Sequence, residues 1–177
     1  MAYTQSSRHY HTLFHLENLI AELKLCNTLI ADYEAVLYSV FYHDIVYNVL
    51  QQDNEEQSAA VAVERLEMLQ VNKAKQEQCR ELILATKTHI THSSSDINLF
   101  TDADLSILGK PQQVYQAYCK QIRAEYAVYP DDVYFPGRIK VLQHFLVMPR
   151  IYKTDFFYQQ YEQQARNNIT QELTSLQ

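Results

Sequence analysis

Only two glycines and four prolines are spread over 177 residues, and tryptophan is absent. Strands joined by hairpins consume Gly, Asn and Asp at their turns, so this shortage excludes a turn-rich β architecture and points to helices. Cysteine is scarce too. Cys26, Cys79 and Cys119 are odd in number and far apart, which argues against a disulfide framework or zinc knuckle and reads as reduced thiols within helices. Positive charge is also short: 15 Lys and Arg face 21 Asp and Glu, the formal net charge is -6, and the basic residues form no run. A broad nucleic-acid-binding face is therefore not expected. Neither a basic-then-apolar leader nor an apolar run of spanning length is seen, so the expectation is a soluble cytoplasmic protein with no membrane partner.

What is present is helical spacing and tyrosine. The length suits one domain over 1–177. An extended opening at 3–7 leads to a helix capped at Thr12 or earlier, with Leu13, Leu16, Leu19, Ile20 and Leu23 at helical intervals. A second helix carries Tyr33, Val36, Leu37, Val40 and Phe41, apolar nearly all round toward its end, as in the centre of a bundle. Further helices are predicted at 58–69, 73–87, from Pro111 to about 129, through Ile139 to Leu146, and at about 154–173, with a Ser/Thr-rich loop at 88–95. The fourteen tyrosines, apolar in body and polar at the tip, suit either a polar cleft or the interface of a homodimer.

The stretch with most chemical content is Phe41-Tyr42-His43-Asp44-Ile45-Val46-Tyr47. Burying an imidazole beside a carboxylate in an apolar run is costly unless both are paired, and a divalent metal pairs both at once. The plainer alternative has Asp44 capping the next segment and His43 bonded in the core. His11 and His15, four apart, project from one helix face. Asp102 and Asp104 lie in apolar surroundings and call for buried partners.

A histidine, a His-Asp doublet and a distant aspartate in this order resemble the HD-domain superfamily of metal-dependent phosphohydrolases. Arg8-His9-Tyr10-His11-Thr12-Leu13-Phe14-His15, Asn54-Glu55-Glu56-Gln57-Ser58-Ala59, Leu84-Ala85-Thr86-Lys87, Asp102-Ala103-Asp104-Leu105-Ser106-Ile107-Leu108-Gly109, Ile122-Arg123-Ala124-Glu125-Tyr126, Gly137-Arg138 and Ala165-Arg166-Asn167-Asn168 are similar to motifs of a small predicted bacterial subgroup. The resemblance implies an all-α HD bundle of five core helices with additional C-terminal ones. It implies metal ligands His15, His43, Asp44 and Asp104, with Asp102 in support or as an alternative and His11 lining the cleft or replacing His15. Manganese, cobalt, nickel, iron or zinc suit such a nitrogen and oxygen set, with magnesium also allowed. The activity implied is hydrolysis of a nucleotide or other small phosphate ester by metal-activated water. Glu55 or Glu56 would orient that water or protonate the leaving group, or else only cap a helix dipole. Arg8, Lys87, Arg123 and Arg138, with His11 and His89, are the expected substrate contacts. A dinuclear oxygenase using His89 and His92 as further ligands, and a binding module without turnover, are the competing readings.

Overall fold

The computed structural model describes residues 2–176. Among them are eight α-helices and no strand: α1 (Leu13–Leu25), α2 (Tyr33–Tyr42), α3 (Asn54–Met68), α4 (Lys73–Ala85), α5 (Ser95–Asp104), α6 (Gln112–Glu125), α7 (Asp131–Val147) and α8 (Asp155–Ser175). None of the helices is long and apolar enough to cross a membrane. The all-α expectation holds, and local chemistry explains where the helices begin. Asp32 accepts from the Ala35 N–H at the start of α2, and Asn72 from the Lys75 N–H at the start of α4. Glu55 and Glu56 sit in the first turn of α3, where carboxylates favour the positive dipole end.

Two apolar clusters hold the bundle together. The larger joins Leu16, Leu19 and Leu23 of α1 to Leu99, Phe100 and Ala103 of α5 and to Phe157, Ala165 and Ile169 of α8. The smaller joins α3 and α4 through Ala59, Ala62, Leu66, Cys79 and Ile83, the alanines permitting close approach. The helix α2 packs on α1, α3 and α4 and ends where the two clusters meet. A 3-10 turn at Leu105–Gly109 then lies along α8.

Three local expectations are corrected. The opening is a 3-10 turn at Ala2–Thr4 rather than extended, its Tyr3 hydroxyl donating to the Phe41 carbonyl at 3.0 Å. The third helix starts at Asn54, because the Asn54 side chain caps the preceding loop by bonding to the Asn48 backbone. Finally, α2 is not buried all round: Ala35, Val36, Ser39 and Val40 are inside while Phe41 is 51% exposed.

Gly109 lets the 3-10 turn lie close against α8. A Cβ there would lie 2.8 Å from the Tyr161 carbonyl oxygen and 2.9 Å from its Cα, and backbone cannot move aside as a flexible side chain can. Gly109→Ala is expected to destabilise the fold by about 1–3 kcal/mol through overpacking. Thermal denaturation would show it, and an unchanged midpoint would mean that the turn can lift away from α8 freely.

Candidate metal centre

Three helices bring their chemistry to one point. His15 faces inward from the first turn of α1, His43 caps the C-terminus of α2 with Asp44 beside it, and Asp104 ends α5. His15 Nε2 and His43 Nε2 are 3.1 Å apart. Asp44 Oδ2 lies 3.0 Å from His43 Nε2 and 3.9 Å from His15 Nε2. Asp104 Oδ1 lies 3.2 Å from His15 Nε2 and 3.8 Å from His43 Nε2. A cation bonded at about 2.0–2.2 Å to nitrogen and oxygen donors holds neighbouring donors about 3 Å apart, so this spacing fits. His15, His43 and Asp44 form a group that could hold a metal ion, and Asp104 borders it.

The close packing of histidines and carboxylates also sets their protonation. His43 Nδ1 donates to the Val40 carbonyl at 3.0 Å, which leaves Nε2 as the atom aimed at the cluster. Both imidazoles are buried, at 4% and 1% exposure. Burial alone would push His43 down, yet the Asp44 carboxylate lifts it to about 9. Burial would raise the Asp44 carboxyl, but His43 and then His11 hold it well below the usual carboxylate range. Asp104 is likewise held down against burial, by the hydrogen bonds from His15 and His89.

The surrounding residues fix this geometry. Glu125 of α6 accepts from the backbone N–H groups of His9, Tyr10 and His11 at 2.8, 2.8 and 2.9 Å. It also binds His11 Nδ1 at 2.7 Å and the Tyr47 hydroxyl at 2.9 Å. His11 therefore presents Nε2 toward Asp44, 3.9 Å from its Oδ2. The sequence places Glu125 in one of the family-like motifs but does not show this role, since a glutamate on an amphipathic helix carries no mark of backbone partners over a hundred residues away. Arg8, expected at a substrate phosphate, is buried and donates instead to the carbonyls of Asp44 at 2.7 Å, Ile45 at 3.2 Å and His11 at 3.3 Å. It ties the segment before α1 to the loop after α2. Asp102 does not reach the cluster. Fully buried, it accepts from the Lys153 and Thr154 N–H groups and pairs with the Lys153 ammonium at 2.9 Å, anchoring the chain before α8.

The carboxylates of the cluster, Asp44 and Asp104, border a cleft of about 1070 Å³, with the two imidazoles buried behind them. His11, Asp44, Asp104, His89, Lys87 and Glu55 all border this space. His89 adopts a left-handed backbone (φ 53°) and places Nε2 3.1 Å from Asp104 Oδ2. His92, needed with it in the dinuclear reading, is exposed and accepts from the Ser94 N–H. Lys87 bonds the Gln52 carbonyl and the Glu56 carboxylate, so Glu56 is turned to an ion pair while Glu55 faces the cleft. Arg123, another expected substrate contact, is committed to Asp131 at 2.7 Å and to the carbonyls of Tyr126 and Tyr129. Arg138 borders the cleft, but its guanidinium is buried against Glu172 at 2.8 and 2.9 Å. The sequence shows the charge of these arginines and hides their partners. No protein-family pattern, curated protein or solved structure matches this chain.

Proposed function

We propose that the protein is a metal-dependent phosphohydrolase of the HD type, acting on a nucleotide or other small phosphate ester. One observation carries the reading: two buried imidazole nitrogens lie within 3.0–3.9 Å of two carboxylate oxygens, and those carboxylates, Asp44 and Asp104, border an open cleft. A divalent cation there would supply Lewis acidity to a phosphoryl oxygen and acidify water near neutral pH. The mixed donor set suits manganese, cobalt, nickel, iron or zinc.

The chain's own side chains supply orientation and proton handling. His11, held by Glu125 through Nδ1, offers Nε2 to a phosphoryl or leaving-group oxygen beside Asp44. His89 faces the same space next to Asp104, and Lys87 brings an ammonium to its border. Glu55 reaches the cleft from the first turn of α3 and can take or give a proton there.

The test is phosphate release from a panel of nucleotides and simple phosphate esters, with and without a chelator followed by metal restoration. Release that chelation abolishes and metal restores supports the reading; release indifferent to metal contradicts it. The two glutamates should separate. Glu55→Gln is expected to lower turnover roughly 10²–10⁴-fold at unchanged metal content, as loss of a proton-transfer group does. Glu56→Gln breaks only an exposed ion pair and should leave turnover near normal. Normal turnover in the Glu55 variant would remove that carboxylate from the chemistry.

A further inference from the structure

We infer that the body of the substrate is apolar: the site takes the phosphate ester of a hydrophobic alcohol, whose chain or ring lies in the arm of the cleft between α6 and α7. This deepens the phosphohydrolase reading and rests on it. Away from the metal cluster, the cleft is walled by Ile122, Tyr126, Val133, Tyr134, Val141 and Phe145. The helix α7 buries only Arg138 and Leu142, leaving Val133 and Val141 at 53% and 46% exposure. Apolar side chains on a thinly packed helix, bordering a space continuous with the candidate metal centre, make a ligand surface rather than a core.

A nucleobase would call for free donors and acceptors or a bare ring face to stack on. The arm has spent most of these within the protein. The Tyr129 hydroxyl donates to the Val49 carbonyl at 3.1 Å, and the Tyr118 hydroxyl accepts from Arg138 at 3.4 Å. The Arg123 guanidinium covers one face of the Tyr134 ring at 4.7 Å, and Tyr126 and Tyr129 stack on each other at 6.1 Å. Both arginines are neutralised by Asp131 and Glu172. The remaining polar groups there are the Tyr126 and Tyr134 hydroxyls, single polar tips on apolar rings, and Lys140 and His144, which are exposed to solvent. What the arm offers a ligand is hydrocarbon and ring edge, and a cleft of about 1070 Å³ has room for far more than a phosphoryl group.

The experiment uses the metal-loaded protein with n-alkyl phosphates from methyl to octyl and with nucleoside monophosphates, assayed for phosphate release. The matching alkylphosphonates are titrated by calorimetry, which reads binding without turnover. Affinity and kcat/KM are expected to rise roughly fourfold per added methylene until the arm is filled, with nucleotides no better than the short esters. Val141→Asp, and separately Tyr134→Ser, should flatten that slope in proteins whose circular dichroism and melting match wild type. A flat series, or nucleotides preferred over octyl phosphate, overturns the inference even if short esters are hydrolysed, and leaves the phosphohydrolase reading intact. Phosphonate affinity that rises with chain length while no ester is cleaved upholds the apolar arm and overturns the hydrolase reading.

Discussion

Asp44→Ala is expected to strip the protein of its metal and lower phosphate release by more than roughly 10²-fold, while the chain stays folded. Changes that merely loosen a ligand's support cost about 10–100-fold in affinity or activity, and removing a ligand outright should exceed that. The fold should survive because the backbone here is held independently of the carboxylate. Arg8 grips the Asp44 carbonyl at 2.7 Å, and Ser58 both donates to and accepts from the Val46 backbone. Elemental analysis, turnover and melting of the variant, set beside metal-free wild type, separate the outcomes. Full occupancy and turnover in Asp44→Ala would reduce Asp44 to a local cap.

The largest stability effect is expected at Glu125. One buried carboxylate satisfies three backbone N–H groups, His11 Nδ1 and the Tyr47 hydroxyl. Glu125→Ala strands these donors, at about 1–3 kcal/mol for each that water fails to reach, and a total of about 3–5 kcal/mol is expected. For a chain of this size the melting temperature should drop by roughly 6–20 °C. Turnover should fall as well, because the segment leading to His11 and His15 loses its anchor. The effect should depend on pH with a definite sign. Burial would raise the Glu125 carboxyl, but the hydrogen bond and charge of His11 and the backbone N–H groups hold it at about 2, below its usual 4.5. A carboxyl held low contributes fully above its unfolded value, and that contribution is lost as pH falls toward its folded one. The gap between wild type and Glu125→Ala should therefore be widest above pH 4.5 and narrow toward pH 2. Equal melting of the two at neutral pH would mean that the segment before α1 is held by other contacts.

Residues of the candidate cluster drew attention in the sequence through local marks, an adjacent His-Asp pair in an apolar run, histidines four apart, and carboxylates set among Leu, Phe and Ala, while the choice of His15 and Asp104 came from the family resemblance. Helix geometry separates Asp102 from Asp104. Two residues at about 100° each face nearly opposite ways, so only one can meet the histidines. The other, Asp102, holds Lys153 and the entry to α8. Helix spacing likewise marked the inward positions Leu16, Leu19 and Leu23, but not that Leu13 would be 49% exposed at the helix start. Long-range polar partners stayed hidden. Arg8, Arg123 and Arg138 are bound to carbonyls or carboxylates that only the fold brings near. The apolar stretch of cleft wall on α6 and α7 was hidden too, since helical spacing does not say which apolar side chains border a space.

The proposed function requires a single cation held by His15, His43, Asp44 and Asp104. A crystal of the manganese-loaded protein, measured for anomalous scattering at the manganese edge, tests it most directly. One peak is expected among the two Nε2 atoms and the two carboxylates, within about 2.0–2.3 Å of each ligand atom. An empty cluster under saturating manganese, or a peak at the exposed His92 instead, would contradict it.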